Sequence, residues 1–310
     1  MELADQFSDK RILLTGVTGF IGRHLARRLA AHGAEVWGVS RRPVLEGGEE
    51  GVCYRNGNLS IIGTVEALFQ EIRPDIVFHL ASHVAGARGL ELVQPTLQSN
   101  LVAAVNILCG AAGMESPPRV ILAGSMEESD PKIDGVPSSP YAAAKSAATA
   151  YARMFADLYR LPVTIARIFM VYGPDQPDER KLVPYVIGSL LAGRAPSLTS
   201  GARAVDWIYI DDVVAGLLAM ALAGGEGALR GSQVDLGTGR MTTVREVVER
   251  LSGIAEAVVE PTFGSLADRA REQECAADTA RTEALIGWSS RVSLGDGLRR
   301  TFEWYRAGGA

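Results

Sequence analysis

The stretch Arg11-Ile12-Leu13-Leu14-Thr15-Gly16-Val17-Thr18-Gly19-Phe20-Ile21-Gly22 decides the fold. Arg11 to Thr15 is a short apolar run ending in a glycine-rich turn, and over residues 20–31 apolar side chains recur at helical spacing through Ile21, Leu25 and Leu29. The order is strand, turn, helix, with glycines at G-x-x-G-x-x-G. Glycine allows the tight turn, lets main-chain N–H groups approach a pyrophosphate and leaves room for the helix to pack, while the helix N-terminus adds partial positive charge. Glycines kept only for close packing are the plainer reading, and the flanking strand and helix weigh against it.

The same alternation continues outward. Residues 35–40 read as a second strand, 75–80 as another after Pro74, 119–123 after Pro117-Pro118 and 163–168 after Pro162, with helical stretches over 65–72, 95–112 and 141–159. Strands alternating with helices of this length predict a doubly wound parallel α/β sheet of the Rossmann kind. After Gly173-Pro174 the pattern loosens, with a strand over 207–210, a helix over 211–222 and no repeat. The expected division is a dinucleotide-binding domain over 1–168 plus about 203–236, and a smaller interleaved substrate domain over 169–202 and 237–310.

Composition narrows the function classes. The 310 residues are 47% hydrophobic and 22% charged, which fits a soluble globular protein rather than a disordered chain. A net charge of -5 and scattered basic pairs disfavour nucleic acid. Cys53, Cys109 and Cys275 lie far apart, so neither disulfides nor a metal set are expected. The polar first ten residues do not read as a signal peptide, and the longest apolar run, 213–223, is about half the ~20 residues a membrane span needs. The expectation is a cytoplasmic protein that contacts no membrane.

The end of the second strand bears on which dinucleotide is bound. An acid there accepts from the ribose hydroxyls of NAD and repels a 2′-phosphate. Here the chain reads Val39-Ser40-Arg41-Arg42, a hydroxyl and two guanidiniums that suit a phosphate. NADP(H) is therefore expected ahead of NAD(H), with solvated arginines as the alternative.

Ser139-Pro140-Tyr141-Ala142-Ala143-Ala144-Lys145 sets Tyr and Lys four apart at a helix start, on one face. An ammonium beside a phenol is expected to draw its pKa down from about 10, giving an acid/base for a carbonyl or carbinol. Y-x-x-x-K alone is common in helices. Here it follows the nucleotide turn and a strand ending in Gly124-Ser125-Met126-Glu127-Glu128, where Ser125 is placed to hydrogen-bond the same oxygen as Tyr141. The expected catalytic trio is Ser125, Tyr141 and Lys145.

With these motifs the chain resembles the extended short-chain dehydrogenase/reductases, the group of sugar-nucleotide epimerases, dehydratases and ketoreductases. The resemblance spans nearly the whole length. It takes in Gly16, Thr18, Gly19, Phe20, Ile21 and Gly22 of the turn, Asn58-Leu59 where the family has an Asp near the adenine, and His79-Leu80-Ala81-Ser82 and Asn100 near the cofactor. It also includes Tyr172-Gly173-Pro174, the stretch from Asp206 to Asp212, and Arg269 and Asp278 in the tail. It implies a sugar-nucleotide substrate and a homodimer formed by a four-helix bundle of the helices over 95–112 and 141–159.

Dehydratases of this group carry an acid and then a Glu after the Ser/Thr; here Met126 holds the acid's place and Glu127 the Glu's. Gly-Ser-x-Glu-Glu is most similar to the GDP-4-keto-6-deoxymannose reductases. Together with the NADP-like strand end it points to net reduction of a 4-keto-6-deoxy sugar nucleotide, with a 4,6-dehydratase or epimerase that retains its cofactor as the alternative, and a non-catalytic NADP sensor as a minor one. Glu127 either serves catalysis by binding sugar hydroxyls or faces solvent. Two family contacts to phosphate are altered: Met170 stands where Asn is usual and Val205 where Arg is usual. Arg203 and Arg269 either replace them or are solvated. His83, Met126, Met170, Arg203 and Arg269 are the expected substrate-side residues, whereas His24 reads as structural.

Overall fold

Leu13 and Leu14, at the middle of the first strand, are both fully buried although they point to opposite faces, so the sheet is covered on both sides. The computed structural model describes residues 6–44, 48–84, 87–129 and 135–308. The first half runs β1 (Arg11–Thr15), α1 (Phe20–Ala31), β2 (Glu35–Ser40), β3 (Val52–Asn56), α2 (Ile62–Ile72), β4 (Ile76–His79), α3 (Val93–Thr96), α4 (Ala103–Ala112), β5 (Arg119–Ser125), α5 (Pro140–Leu158) and β6 (Val163–Ile168). There follow β7 (Met170–Tyr172), α6 (Leu182–Leu191), β8 (Ala204–Tyr209), α7 (Ile210–Ala223), β9 (Gln233–Leu236), β10 (Met241–Thr243), α8 (Val244–Ile254), α9 (Thr279–Ile286) and α10 (Leu294–Arg306).

Seven strands form one sheet in the order β3-β2-β1-β4-β5-β6-β9, every pairing parallel. This is the doubly wound Rossmann arrangement, and its strand order reverses between β1 and β4. A crevice opens at such a point beyond the carboxyl ends of the strands. Two apolar layers cover the sheet, one containing Val65, Phe69, Ile107, Leu108 and Phe155, the other Leu25, Leu29, Val213 and Leu217.

The edge strands β3 and β9, absent from the sequence reading, complete the sheet. The strand expected over 207–210 begins earlier, at Ala204, and pairs not with the large sheet but with β7 and β10 in a second, three-stranded one. The helix expected over 95–112 is interrupted by a π-helical turn at Leu97–Val102. Asp206 ties the second sheet to the rest: fully buried, it accepts from Thr238 N (2.8 Å), Gly239 N (2.7 Å) and Ala277 N (3.1 Å). Asp212 likewise accepts from Arg291 N and Val292 N, and Asp278 caps α9 by accepting from Arg281 N. Asp206, Asp212 and Asp278 thus hold backbone. Among the described residues no helix is long and apolar enough to cross a membrane.

Candidate active site

The glycine turn sits at the reversal point. Gly16 has φ +71°, and a Cβ there would lie 2.7 Å from Ala81 N; a Cβ on Gly22 would lie 2.1 Å from Gly16 O. Both positions therefore exclude a side chain. Thr15 stitches β1 to β4, its hydroxyl 2.8 Å from His79 Nδ1 and accepting from Ala81 N at 3.1 Å. Burial pushes His79 down to about 3, so its ring is neutral. Helix α1 begins at Gly19 with no side-chain cap and no acid in its first turn. Its first N–H groups are thus left for an anion. Ser82 Oγ, close by in sequence, is buried without a partner. These residues fit a dinucleotide with its pyrophosphate over Gly16, Thr18, Gly19, Phe20, Ile21 and Gly22. At the end of β2, Ser40 is half-buried while Arg41 and Arg42 are exposed.

Ser125 ends β5 and Tyr141 and Lys145 lie in the first turns of α5, which starts because Ser139 accepts from Ala142 N and Pro140 occupies the first turn. The Ser125 side chain stands near enough to the Tyr141 phenol to act on it by hydrogen bonding. Lys145, 5% exposed, donates from Nζ to Ala123 O at 2.7 Å and lies 5.9 Å from the Tyr141 ring centroid. The structure therefore brings the three together. It reverses the expected phenol shift: burial pushes Tyr141 up to about 12, Ser125's hydrogen bond opposes this, and the charges of Glu128 and Glu127 add to it. Burial also pushes Lys145 down to about 8, with Glu128 opposing. The ammonium is held by the Ala123 carbonyl, and desolvation of the phenol outweighs the hydrogen bonding from Ser125 that lowers it.

Glu127 does not face solvent. Its Oε1 accepts from Arg203 Nη2 at 2.7 Å, and Arg203 also donates to Gln273 O (2.9 Å) and pairs with Glu272 (3.4 Å), which in turn reaches Arg269 (3.7 Å). Two predicted substrate-side arginines thus join Glu127 in one network beside the trio. Arg203 is mostly buried, so it is not simply a solvated side chain; Arg269 is exposed over half its surface. Lys181, missed in the sequence, belongs here too: burial lowers its pKa, and Asp178, Arg180, Arg269 and Glu127 act on its charge. Met126 is buried in the core at 2% exposed, and Met170 packs partly against it.

Other predicted residues are engaged locally. Asn58 is exposed and accepts from Ser60 N and Ser60 Oγ, while Leu59 is buried. Asn100, buried in the π turn, accepts from His83 N (2.6 Å) and donates to His83 O (3.2 Å), so its amide clamps the segment after β4. The His83 ring lies 3.3 Å from Thr96 Oγ1. Leu80 and Ala81 line that segment half-buried. His24 packs edge-on against Phe20, with Nε2 3.1 Å from Pro174 O. Glu128, which the sequence does not single out, is folded back under Ser125 by a tight turn.

A glycine-turned nucleotide crevice beside a Ser-Tyr-Lys centre defines a nicotinamide-dependent enzyme of the extended short-chain dehydrogenase/reductase type. Residues 12–232 match the NAD dependent epimerase/dehydratase family, and the chain belongs to it. It is 31% identical over 315 residues to a UDP-glucose 4-epimerase of Mycolicibacterium smegmatis, covering 96% of this chain and 98% of that protein. It is 25% identical over 342 residues to a dTDP-glucose 4,6-dehydratase of Neisseria gonorrhoeae, covering 96% and 95%. The crystal structure of the Thermus thermophilus UDP-glucose 4-epimerase in complex with NAD superposes with a TM-score of 0.82 at 26% identity, covering 96% of this chain and 99% of that one.

Proposed function

We propose that this enzyme reduces the 4-keto group of a 4-keto-6-deoxy sugar nucleotide with NADPH. The observation that carries the reading is the end of β2, where Ser40, Arg41 and Arg42 stand with no carboxylate among them. A 2′-phosphate would meet a hydroxyl and two guanidiniums there. Net reduction draws on the NADPH pool, whereas epimerases and dehydratases regenerate their own cofactor.

NADPH, when bound, would supply a hydride for the ketone carbon. Tyr141 is protonated well past neutral pH and donates its proton to the ketone oxygen, which Ser125 holds by a second hydrogen bond. Lys145 steadies the nicotinamide ribose and the phenolate left behind. Each positioned donor is worth roughly 3 kcal/mol of barrier, so its loss slows the step by about 100-fold. Arg203, Arg269 and Lys181 supply the positive charge for the substrate's diphosphate. Glu127, released from Arg203 as the diphosphate takes over that guanidinium, accepts from sugar hydroxyls.

Met126 stands where a dehydratase carries an acid, so half of the elimination apparatus is missing although Glu127 keeps the place of the Glu. Likeness to the mycobacterial UDP-glucose 4-epimerase over nearly the whole chain favours a second reading, 4-epimerisation with retained nicotinamide. The intact trio weighs against a non-catalytic sensor. The reading includes a cytoplasmic homodimer built through α4 and α5, supported by exposed Tyr151, Leu158 and Tyr159 at the latter helix. It also takes 1–168 with about 203–236 as the cofactor domain and 169–202 with 237–310 as the substrate domain. Titrating the apoprotein with NADPH and NADH tests the carrying observation: NADPH is expected to bind at least about tenfold more tightly, a difference of about 1.4 kcal/mol, and comparable affinities would sink the cofactor assignment.

A further inference from the structure

Beneath the trio lies a carboxylate to which the reaction above gives no role. Glu128 is 7% exposed. Its own N–H donates to Ser125 O at 3.2 Å, closing a tight turn, and its Oε1 accepts from Ser125 N at 2.8 Å. The turn is tied to α5 by the Ser129 main chain, whose N–H donates to Ser146 Oγ at 3.1 Å. Gly124 leaves the space the carboxylate uses, since a Cβ there would stand 2.6 Å from Glu128 Oε1 and 2.9 Å from Ile165 Cγ2. The charged groups acting on Glu128 are Lys145 from α5 and Arg167 from β6; the Tyr141 phenol of α5 feels both Glu128 and Glu127 of the turn, and the charge of Lys145 in its turn bears on His79 from β4, adding to burial in holding that ring neutral.

We propose that Glu128 is a positioning residue of the redox centre: its carboxylate fixes the Ser125 main chain beneath Tyr141 and is the buried counter-charge of Lys145, and so sets the pH range in which the centre works. The role rests on the reading that Ser125, Tyr141 and Lys145 carry the hydride chemistry. Two properties require a carboxylate here. A buried ammonium left without an opposite charge is costly and sheds its proton, and Glu128 is the carboxylate that acts on Lys145, opposing the drop that burial causes. The Ser125 N–H, at the end of the strand, would otherwise be a buried donor without an acceptor. An amide meets the second need but not the first, and a hydrocarbon meets neither.

The test compares Glu128→Gln and Glu128→Leu with the unaltered chain and with Tyr141→Phe. In ligand-free protein labelled with 15N-lysine, the Lys145 Nζ resonance, assigned by its loss in Lys145→Met, reports the protonation midpoint directly. Removing a negative charge disfavours the ammonium, so Glu128→Gln is expected to lower that midpoint by about one to two pH units. With NADPH and a 4-keto-6-deoxy sugar nucleotide, the alkaline limb of kcat should move down with it, while KM stays within about twofold. Glu128→Leu should lose about 100-fold in kcat, having lost the hold on Ser125 as well. An unmoved Lys145 midpoint in Glu128→Gln overturns the counter-charge role, and Glu128→Leu with kcat within about twofold of normal overturns the positioning role. Should Glu128→Leu not fold, the midpoint and kcat limb of Glu128→Gln decide. A Tyr141→Phe variant that keeps normal turnover would instead refute the underlying chemistry.

Discussion

Burial moves Tyr141 and Lys145 in opposite directions, the phenol up to about 12 and the ammonium down to about 8, because desolvation disfavours whichever form is charged. Tyr141 is therefore a proton donor at physiological pH, which suits reduction of a ketone. Lys145 is the group that titrates first. Below about pH 8 it is charged; as pH rises through about 8 the charge is lost, earlier than for a free lysine near 10.4. Since kcat/KM reports the free enzyme, its alkaline limb is expected near pH 8 and should vanish in Lys145→Met, which a pH profile of both proteins would show. A limb near pH 10 would mean that the lysine is not desolvated in the working enzyme.

At the scale of elements, catalysis depends on how tightly β1, the glycine turn and α1 abut β4. Gly22→Ala places a methyl 2.1 Å from Gly16 O, so the turn must open. Nucleotide affinity is expected to fall at least about tenfold with the sheet intact, measured by fluorescence titration alongside circular dichroism. These elements were legible in the sequence because parallel strands buried on both faces read as unbroken apolar runs and the glycines mark the turn between them. β3, Val-Cys-Tyr-Arg-Asn, was not: it is an edge strand with no fully buried residue, so it lacks both an apolar run and a clean alternation. The four-residue edge strand β9 and three-residue β10 were too short to register, and nothing in the 97–102 stretch signals a π turn. The trio was legible from spacing and context. The direction of its pKa shifts was not, since that depends on burial, nor was the Glu127–Arg203 pair, whose members lie 76 residues apart.

For the whole molecule, exposed Tyr151 and Leu158 on α5 give the proposed dimer its face. A Tyr151→Glu/Leu158→Glu double variant is expected to sediment as a monomer where the unaltered chain sediments as a dimer; an unchanged sedimentation coefficient would place the interface elsewhere. The larger question is the direction in which electrons flow through the completed site. The measurement that tests it most directly follows NADPH absorbance while a 4-keto-6-deoxy sugar nucleotide is converted. Net reduction predicts one NADPH oxidised for each sugar reduced; turnover of a sugar nucleotide with the nicotinamide retained, and no net loss of absorbance, would contradict it and establish the epimerase or dehydratase reading in its place.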